Sequence, residues 1–136
     1  MEEEMTHVSN YDSKVNVLSP GVYGLSNALL DTPWPKVTKA KDSFNDVIKN
    51  AFTLEDLIGV MQNTELAKDD ELPETGIGYE WEKAISAMCI QMPEYGTCCT
   101  TAITISYDGE VNFMEKSYPV GDRKDQTVSH SFLIEK

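Results

Sequence analysis

The sequence predicts a single α+β domain in which helices pack on an antiparallel sheet. Two observations carry this prediction. Residues 33–63 hold two apolar patterns at helical spacing, and the last third of the chain holds segments in which apolar and polar residues alternate. The chain has 136 residues. At that length folding buries about two-thirds of the surface of the unfolded chain, so one hydrophobic core is expected.

The first residues carry no periodic pattern. Residues 1–14 are polar and charged, so we predict a loosely ordered lead-in there and place the domain at residues 15–136. Strand-forming residues then lie on both sides of a turn signal at Pro20-Gly21, namely Val15, Val17, Val22, Tyr23 and Leu25. We therefore predict two short strands, or one that the turn interrupts, running into Ser26-Asn27.

Two helices are expected next. Thr32 resembles an N-cap, and Pro33 would occupy the first helical position. The apolar stripe of the first helix, which should end near Asn50, is Val37, Ala40, Phe44, Val47, Ile48 and Ala51. The charged residues expected mostly on the opposite face are Lys36, Lys39, Lys41, Asp42, Asp46 and Lys49. Thr53 is expected to cap a second helix that ends near Asn63.

The segment after the helices is acidic and rich in loop-forming residues. Residues 64–78 are rich in Asp, Glu, Pro and Gly, which predicts a long mobile loop. Tyr79–Ile85 allows a short helical turn. For Ala87–Met92 we favour a strand, because the apolar residues there share one parity.

The last third predicts a β-hairpin and a final strand. Thr100–Ser106 and Val111–Glu115 alternate, and Asp108-Gly109 between them is a hairpin signal. A final strand follows, on which the alternating residues are Val128, His130, Phe132 and Ile134.

Charge and composition exclude several classes of function. The formal net charge of −12 repels phosphate backbones, so we predict no nucleic-acid partner. No apolar run approaches the roughly 18 residues of a membrane span, so no transmembrane segment is expected, and no secretory signal is recognisable. Three cysteines, two of them adjacent, do not form a secreted disulfide framework, which favours a cytoplasmic location.

The spacing of the histidines and cysteines does not predict a metal site or a reactive site. His7 and His130 have no metal-ligand partner at a useful spacing, so we predict no metal site, and we expect His130 to be a half-buried packing residue. Adjacent strand residues point to opposite faces. For Cys98 and Cys99 we therefore expect one buried small hydrophobe and one exposed thiol.

Ser26 and Asn27 are the more informative pair. They follow a predicted strand and precede a predicted helix, where an amide side chain can face a cleft and donate to an oxyanion. The alternative is an Asn that satisfies the backbone of the turn ahead of the helix. Spacing alone leaves both interpretations open.

Two blocks resemble the transport and Golgi organisation 2 family, which is also named after an Asn-Arg-Asp-Glu (NRDE) motif near its N-terminus. The first block runs from Leu18 to Lys36 and reads LSPGVYGLSNALLDTPWPK. The second is Tyr95-Gly96-Thr97, followed by residues 108–113 with the sequence DGEVNF. The resemblance extends from about Val17 to Lys136, and it is to the C-terminal half of the proteins in this family.

The resemblance implies an N-terminal-nucleophile-hydrolase-like fold of four layers, αββα. It also implies a role in Golgi organisation, protein secretion, and haem or lipid handling. By similarity, the candidate cleft residues are Ser26, Asn27, Tyr95, Thr97 and Cys98. Cys98 stands where the family usually has arginine, and the only arginine of the chain is Arg123. Neither the motif nor a leading cysteine appears in this sequence, so we predict no catalytic residue in this chain.

Expectations about function and partners follow from this resemblance. The leading one is a role without catalysis and without a resident cofactor, with haem or an acyl thioester as candidate small-molecule ligands. The alternative is the C-terminal fragment of an amidohydrolase-type enzyme whose nucleophile lies in a missing N-terminal segment. Because both halves of that fold contribute strands, we predict self-association or pairing with a complementary N-terminal chain. The location expected is cytoplasmic, with Golgi or mitochondrial association.

Overall fold

The structure is a computed structural model that describes residues 4–11, 13–119 and 124–135. Arg123 lies outside these residues. The described residues form two antiparallel sheets, three α-helices and one 3₁₀ turn. In chain order the elements are β1 Met5–Val8, β2 Val15–Leu18, α1 Pro35–Ile48, α2 Leu54–Val60, the 3₁₀ turn Asp69–Glu71, α3 Tyr79–Ala84, β3 Cys99–Ile105, β4 Glu110–Ser117 and β5 Gln126–Leu133.

The first sheet is a hairpin, and its first strand lies in the segment that was expected to be a loosely ordered lead-in. β1 pairs with β2 in antiparallel register, from Met5 opposite Leu18 to Val8 opposite Val15. The pairing satisfies the backbone of β1, whereas both Met5 and Val15 remain exposed. A strand without a buried face leaves no alternation in the sequence, so its pattern could not be recognised. The strand predicted at Val15 is confirmed.

The segment between β2 and α1 is a loop, so the strand predicted over residues 22–25 is wrong. The predicted start of α1 is also wrong. Trp34 precedes a proline, which restricts it to extended backbone, and its ψ is 148°. The helix therefore begins at Pro35. Thr32 belongs to the preceding turn, where its hydroxyl donates to the Leu29 carbonyl at 2.8 Å.

The predicted cap of α2 is confirmed. The Thr53 side chain accepts from the Asp56 backbone N–H at 3.2 Å, and the Asp56 carboxylate accepts from the Thr53 N–H at 2.8 Å. This capping box fixes the start of the helix. The buried face of α2 then packs on the second sheet, and the resulting core contains Ile58, Ala102 and Met114, with Leu54 and Leu57 against it.

The acidic segment 64–78 is held against α3. Lys83 donates to the Ala67 carbonyl at 2.7 Å and to the Asp69 carboxylate at 2.5 Å. Ala67 is only 3% exposed. The short helical turn predicted near Tyr79 is confirmed as α3. The sequence did not reveal these anchors, because Lys83 lies outside the segment, 14 and 16 positions from its partners.

The strand favoured at Ala87–Met92 is wrong. These residues form turns and a single bridge, in which Gln91 lies opposite Gly96. The hydrogen bonds of Ile90 go to Thr97 instead of to a neighbouring strand. Its N–H donates to the Thr97 hydroxyl at 2.9 Å, and its carbonyl accepts from the Thr97 N–H at 2.9 Å.

The second sheet has the order β3-β4-β5, which confirms the predicted hairpin and final strand. Gly109 supplies the turn with a φ of 87°, a conformation that glycine adopts without strain. Ala102 and Met114 face α2. The opposite face is apolar and largely open, with Ile103 55%, Ile105 64% and Phe132 56% exposed, although Val111 between Ile105 and Phe132 is buried.

The α+β class with antiparallel strands and packed helices is therefore confirmed. The four-layer arrangement and the domain extent 15–136 remain predictions of the resemblance. Within the described residues, no helix has both the length and the apolar character needed to cross a membrane.

Candidate functional site

The loop that carries residues 23–34 of the first family block is closed by two residues, Gly24 and Asp31. Gly24 N–H donates to the Asp31 carboxylate at 2.8 Å, and Asp31 N–H donates to the Gly24 carbonyl at 2.8 Å. Lys41 of α1 donates to the same carboxylate at 2.6 Å. The Lys41 hydrogen bond, followed by that of Gly24, lowers the pKa of Asp31. This clamp, formed by Gly24, Asp31 and Lys41, docks the loop on α1.

Contact with α1 explains the glycine. A Cβ on residue 24 would lie 2.6 Å from Cγ1 of the buried Val37. The loop backbone therefore lies directly against the helix, and only glycine fits there without displacing Val37.

A cavity of about 640 Å³, here called the main cleft, opens between this loop, α1, α2 and the edge strand β3. Its walls are mostly apolar. The residues that line it include Met5, Leu18, Tyr23, Ser26, Phe44, Leu57, Met61, Met88 and, on the edge strand, Ile103. Lys36 and Lys41 are the charged residues among its described lining. An apolar volume with few polar groups is typical of a small-molecule site.

A second cavity of about 170 Å³, here called the small pocket, lies at the start of α1. It is lined by Asn27, Trp34, Pro35, Lys36, Pro73, Thr75, Ile77, Glu82, Ile85 and Ser86. Glu82 is only 6% exposed. Its carboxylate accepts from the Thr75 N–H at 2.7 Å and from the Thr75 hydroxyl at 2.5 Å, which satisfies the buried acid.

Lys36 lines both cavities. Its ammonium donates to the Ile85 carbonyl at 3.1 Å and lies 5.7 Å from the centre of the Trp34 ring. Burial lowers the pKa of this amine. A half-buried amine in the lining of an apolar cleft can donate hydrogen bonds to the polar end of a bound molecule, or react through its neutral form.

The structure separates the five predicted cleft residues into two groups. Ser26 lines the main cleft and Asn27 lines the small pocket. Neither cavity is lined by Tyr95, Thr97 or Cys98. Tyr95 packs edge-on against Trp81, with ring centres 6.0 Å apart. Thr97 is engaged with Ile90, as described above, and the Cys98 thiol lies 3.8 Å from the Gly96 carbonyl.

Two further sequence expectations need correction. Cys98 and Cys99 are both exposed, because the strand begins only at Cys99 and the two do not alternate across a covered sheet. The buried cysteine is Cys89. His130 is exposed on β5, where its ring centre lies 6.1 Å from that of Phe113. Among residues 4–11, 13–119 and 124–135, no cluster of three metal-ligating side chains was found.

The sequence reasoning missed the charged side chains of the site. Lys36 and Lys41 were expected on the solvent face of α1, yet both are half-buried. Helical spacing carried the signal, because Lys36 precedes Ala40 by four residues and Lys41 follows Val37 by four. Glu82 gave no such signal, since its partner Thr75 lies in the preceding loop.

Comparison with known proteins identifies the family. The family model described as Transport and Golgi organisation 2 matches residues 1–119, which include the hairpin β1-β2 and exclude β5. The Bos taurus protein named Transport and Golgi organization protein 2 homolog is 36% identical over 129 residues, 88% of this chain and 47% of its own length.

Two further relatives show the same identity. The Homo sapiens protein of the same name is 36% identical over 123 residues, covering 84% of this chain and 43% of that protein. The Mus musculus Transport and Golgi organization 2 homolog is 36% identical over 110 residues, 74% of this chain and 40% of its own. This chain thus spans less than half the length of these relatives. It belongs to the transport and Golgi organisation 2 family.

Proposed function

We propose that this chain acts in transport and Golgi organisation, as the names of its relatives describe, by binding a small amphipathic molecule in the main cleft and without catalysis. The observation that supports this proposal is the cleft itself. It has a volume of about 640 Å³ and mostly apolar walls, and the half-buried Lys36 is among the residues that line it. These properties match those of pockets for drug-sized ligands, which are mostly apolar with a few placed polar groups.

An acyl chain fits these walls better than haem does. Protein ligands of haem iron are most often His or Cys, and less often Met or Tyr. The described lining of the main cleft includes methionines and Tyr23, but neither His nor Cys. An acyl thioester needs no such ligand, because burial of its methylene groups supplies about 0.8 kcal/mol each.

The polar end of the ligand is assigned to Lys36. Lys41 also lines the main cleft, but its ammonium is engaged by Asp31 at 2.6 Å. Lys36 instead donates to a backbone carbonyl, so its remaining N–H groups can reach a ligand oxygen. Haem or lipid handling by this chain would then depend on the same amine.

Titration of the purified chain with an acyl thioester, and separately with haem, tests this proposal. We expect saturable binding of the thioester. Ala40→Phe places a ring in the cleft and should weaken binding about tenfold, which corresponds to about 1.4 kcal/mol. Ser43→Phe adds the same ring to an exposed position on α1 outside the cleft, and binding should not change. If neither the acyl thioester nor haem bound saturably, the proposal would be rejected.

We also propose a partner for the open face of the second sheet. Ile103, Ile105 and Phe132 are each more than half exposed on this face. Isolated exposed apolar residues are ordinary, but a contiguous apolar sheet face marks an interaction surface. The relatives contain a further half that this chain does not match. We assign the face to a segment equivalent to that half, which would complete a second layer over the sheet.

Sedimentation with the unmatched segment of the Bos taurus relative tests this assignment. We expect a one-to-one complex. Ile105→Asp should abolish it, because the substitution places a charge on the face that the complex would bury. Tyr107→Asp, in the fully exposed hairpin turn, is the matched control and should leave the complex intact. A dimer of this chain alone would indicate self-association instead. A compact monomer over a wide concentration range, with no complex, would contradict both.

A further inference from the structure

We propose that Lys36 is a carbonyl-capturing amine that forms an imine with apolar aldehydes entering the main cleft. This inference rests on the proposed function, because it assigns a reaction to the same cleft. It is a stoichiometric capture of a carbonyl compound, and it names aldehydes as a ligand class for this site.

The first support is the contrast between Lys36 and its neighbours. Five other lysines each form an ion pair with a carboxylate, at distances from 2.5 to 3.3 Å. They are Lys39, Lys41, Lys49, Lys68 and Lys83. Lys36 donates only to a carbonyl, and no carboxylate of the described residues lies within 4.0 Å of its ammonium. A carboxylate would hold the amine in its charged form, whereas a carbonyl and an aromatic ring do so much less.

The second support is that Lys36 lines the apolar main cleft as well as the small pocket. The apolar walls of the main cleft can take the aldehyde chain, and Lys36 is one of the two charged residues among the described lining of that cleft. Lys36 also lines the small pocket, where its ammonium donates to the Ile85 carbonyl at 3.1 Å. An aldehyde whose chain lies in the main cleft with its carbonyl end toward Lys36 would be held beside the amine.

Burial also lowers the pKa of Lys36, so that its neutral form is more abundant near pH 7 than that of an exposed lysine. Only the neutral amine has the electron pair needed for attack on a carbonyl. Desolvated lysines of this kind are the ones that form Schiff bases in proteins.

The reaction balances without an oxidant or a reductant. The nitrogen electron pair forms a bond to the carbonyl carbon, and the electrons of the C=O π bond move to oxygen. Proton transfer from nitrogen to oxygen gives a carbinolamine. Loss of water then forms the C=N bond, so one amine and one aldehyde yield one imine and one water.

Reductive trapping on the intact chain tests the proposal. The chain is treated with decanal and cyanoborohydride near neutral pH, and peptide mapping by mass spectrometry locates the alkylated lysines over time. We expect Lys36 to be alkylated about tenfold faster than Lys49, because burial of even two methylene groups is worth roughly that factor. Lys49 is the internal control, since its side chain is 67% exposed and it pairs with Asp46.

Two additions keep failure of this proposal distinct from failure of the proposed function. Acetaldehyde has no chain to bind, so it should not prefer Lys36, and 1-decanol should protect Lys36 without reacting. If decanol bound saturably but the alkylation rate of each lysine simply increased with its solvent exposure, the capture proposal would be overturned and the binding function would stand. If decanol did not bind and the alkylation rates again followed solvent exposure, both the capture proposal and the binding function would be rejected.

A variant provides an independent check. Lys36→Arg keeps the charge and most of the volume but removes the nucleophilic amine. Its circular dichroism and melting curve show whether it folds. In the folded variant the fast alkylation should disappear while Lys49 is unaffected. Persistence of a fast phase elsewhere in the chain would overturn the assignment to Lys36.

Discussion

Gly24 and Asp31 hydrogen-bond to each other in both directions, and each of the two N···O distances is 2.8 Å. The pair closes the loop that carries the family's sequence block. Lys41 then joins the Asp31 carboxylate to α1. The block therefore has a structural role, because it forms one wall of the main cleft and holds it at a fixed place on the helix.

Gly24→Ala should destabilise the protein. The added Cβ would lie 2.6 Å from Val37 Cγ1, and overpacking of this kind costs about 1–3 kcal/mol. Gly59→Ala is the matched control, because nothing lies within 4 Å of its Cβ and it is within α2. That change should stabilise the protein by up to about 1 kcal/mol. Urea denaturation measures both, and equal effects of the two changes would contradict the close contact at Gly24.

Acid should weaken the clamp at Asp31. Its folded-state pKa is lowered from the ordinary value of 3.8, chiefly by the Lys41 hydrogen bond. A lowered folded pKa gives a stability contribution that is fully present above the ordinary pKa and is lost as pH falls through the folded one. Asp31→Asn should therefore lower stability at neutral pH and converge with the wild type in acid. The melting temperature followed against pH measures this.

The control for that experiment is Asp42→Asn, an exposed change on α1 away from the clamp. Its melting temperature should run parallel to that of the wild type across the same pH range. If the curves of Asp31→Asn and of the wild type also stayed parallel, the ionic link from Asp31 to Lys41 would have no energetic weight.

Thr53→Ala should cost about 1 kcal/mol of stability, because the capping box loses the side chain that accepts from the Asp56 N–H. Thr53→Ser keeps the hydroxyl and should stay close to the wild type. A similar loss in both variants would show that the methyl group of Thr53, and not its oxygen, supports α2.

Ile58→Ala should be the most destabilising of these changes, at about 2–5 kcal/mol, because it opens a cavity against Ala102 and Met114. Ile103→Ala deletes the same atoms from the open face of the sheet, where Ile103 is 55% exposed. That change should cost much less in the isolated chain. Comparable losses would mean that the open face is covered in solution.

Local signals predicted local structure well, and long-range contacts account for the errors. The Asp108-Gly109 turn and the Thr53 cap act within a few residues, so both were readable. The start of α1 also has a local signal, because Trp34 before Pro35 is restricted to extended backbone, but Thr32-Pro33 carries a competing signal two residues earlier. No such local signal marked the ordered contacts of the acidic segment, which depend on Lys83.

The candidate site was predicted only in part. Ser26 and Asn27 line the two cavities, whereas Tyr95, Thr97 and Cys98 line neither. Lys36 is the last residue of the family block, but its half-buried position and its hydrogen bond to the Ile85 carbonyl depend on the packing of the segment that follows α3. That contact joins residues 49 positions apart, which no local pattern specifies.

The most direct test of acyl-chain binding in the main cleft is methyl NMR of the chain labelled at its methionine methyl groups. Met5, Met61 and Met88 line the cleft, whereas Met114 lies in the core and Met92 lines neither cavity. During titration with an acyl thioester, we predict saturable shifts of the three cleft methyls while Met92 and Met114 remain in place. Shifts spread evenly over these five of the six methionine methyls, or no shift at any of the five, would contradict the account.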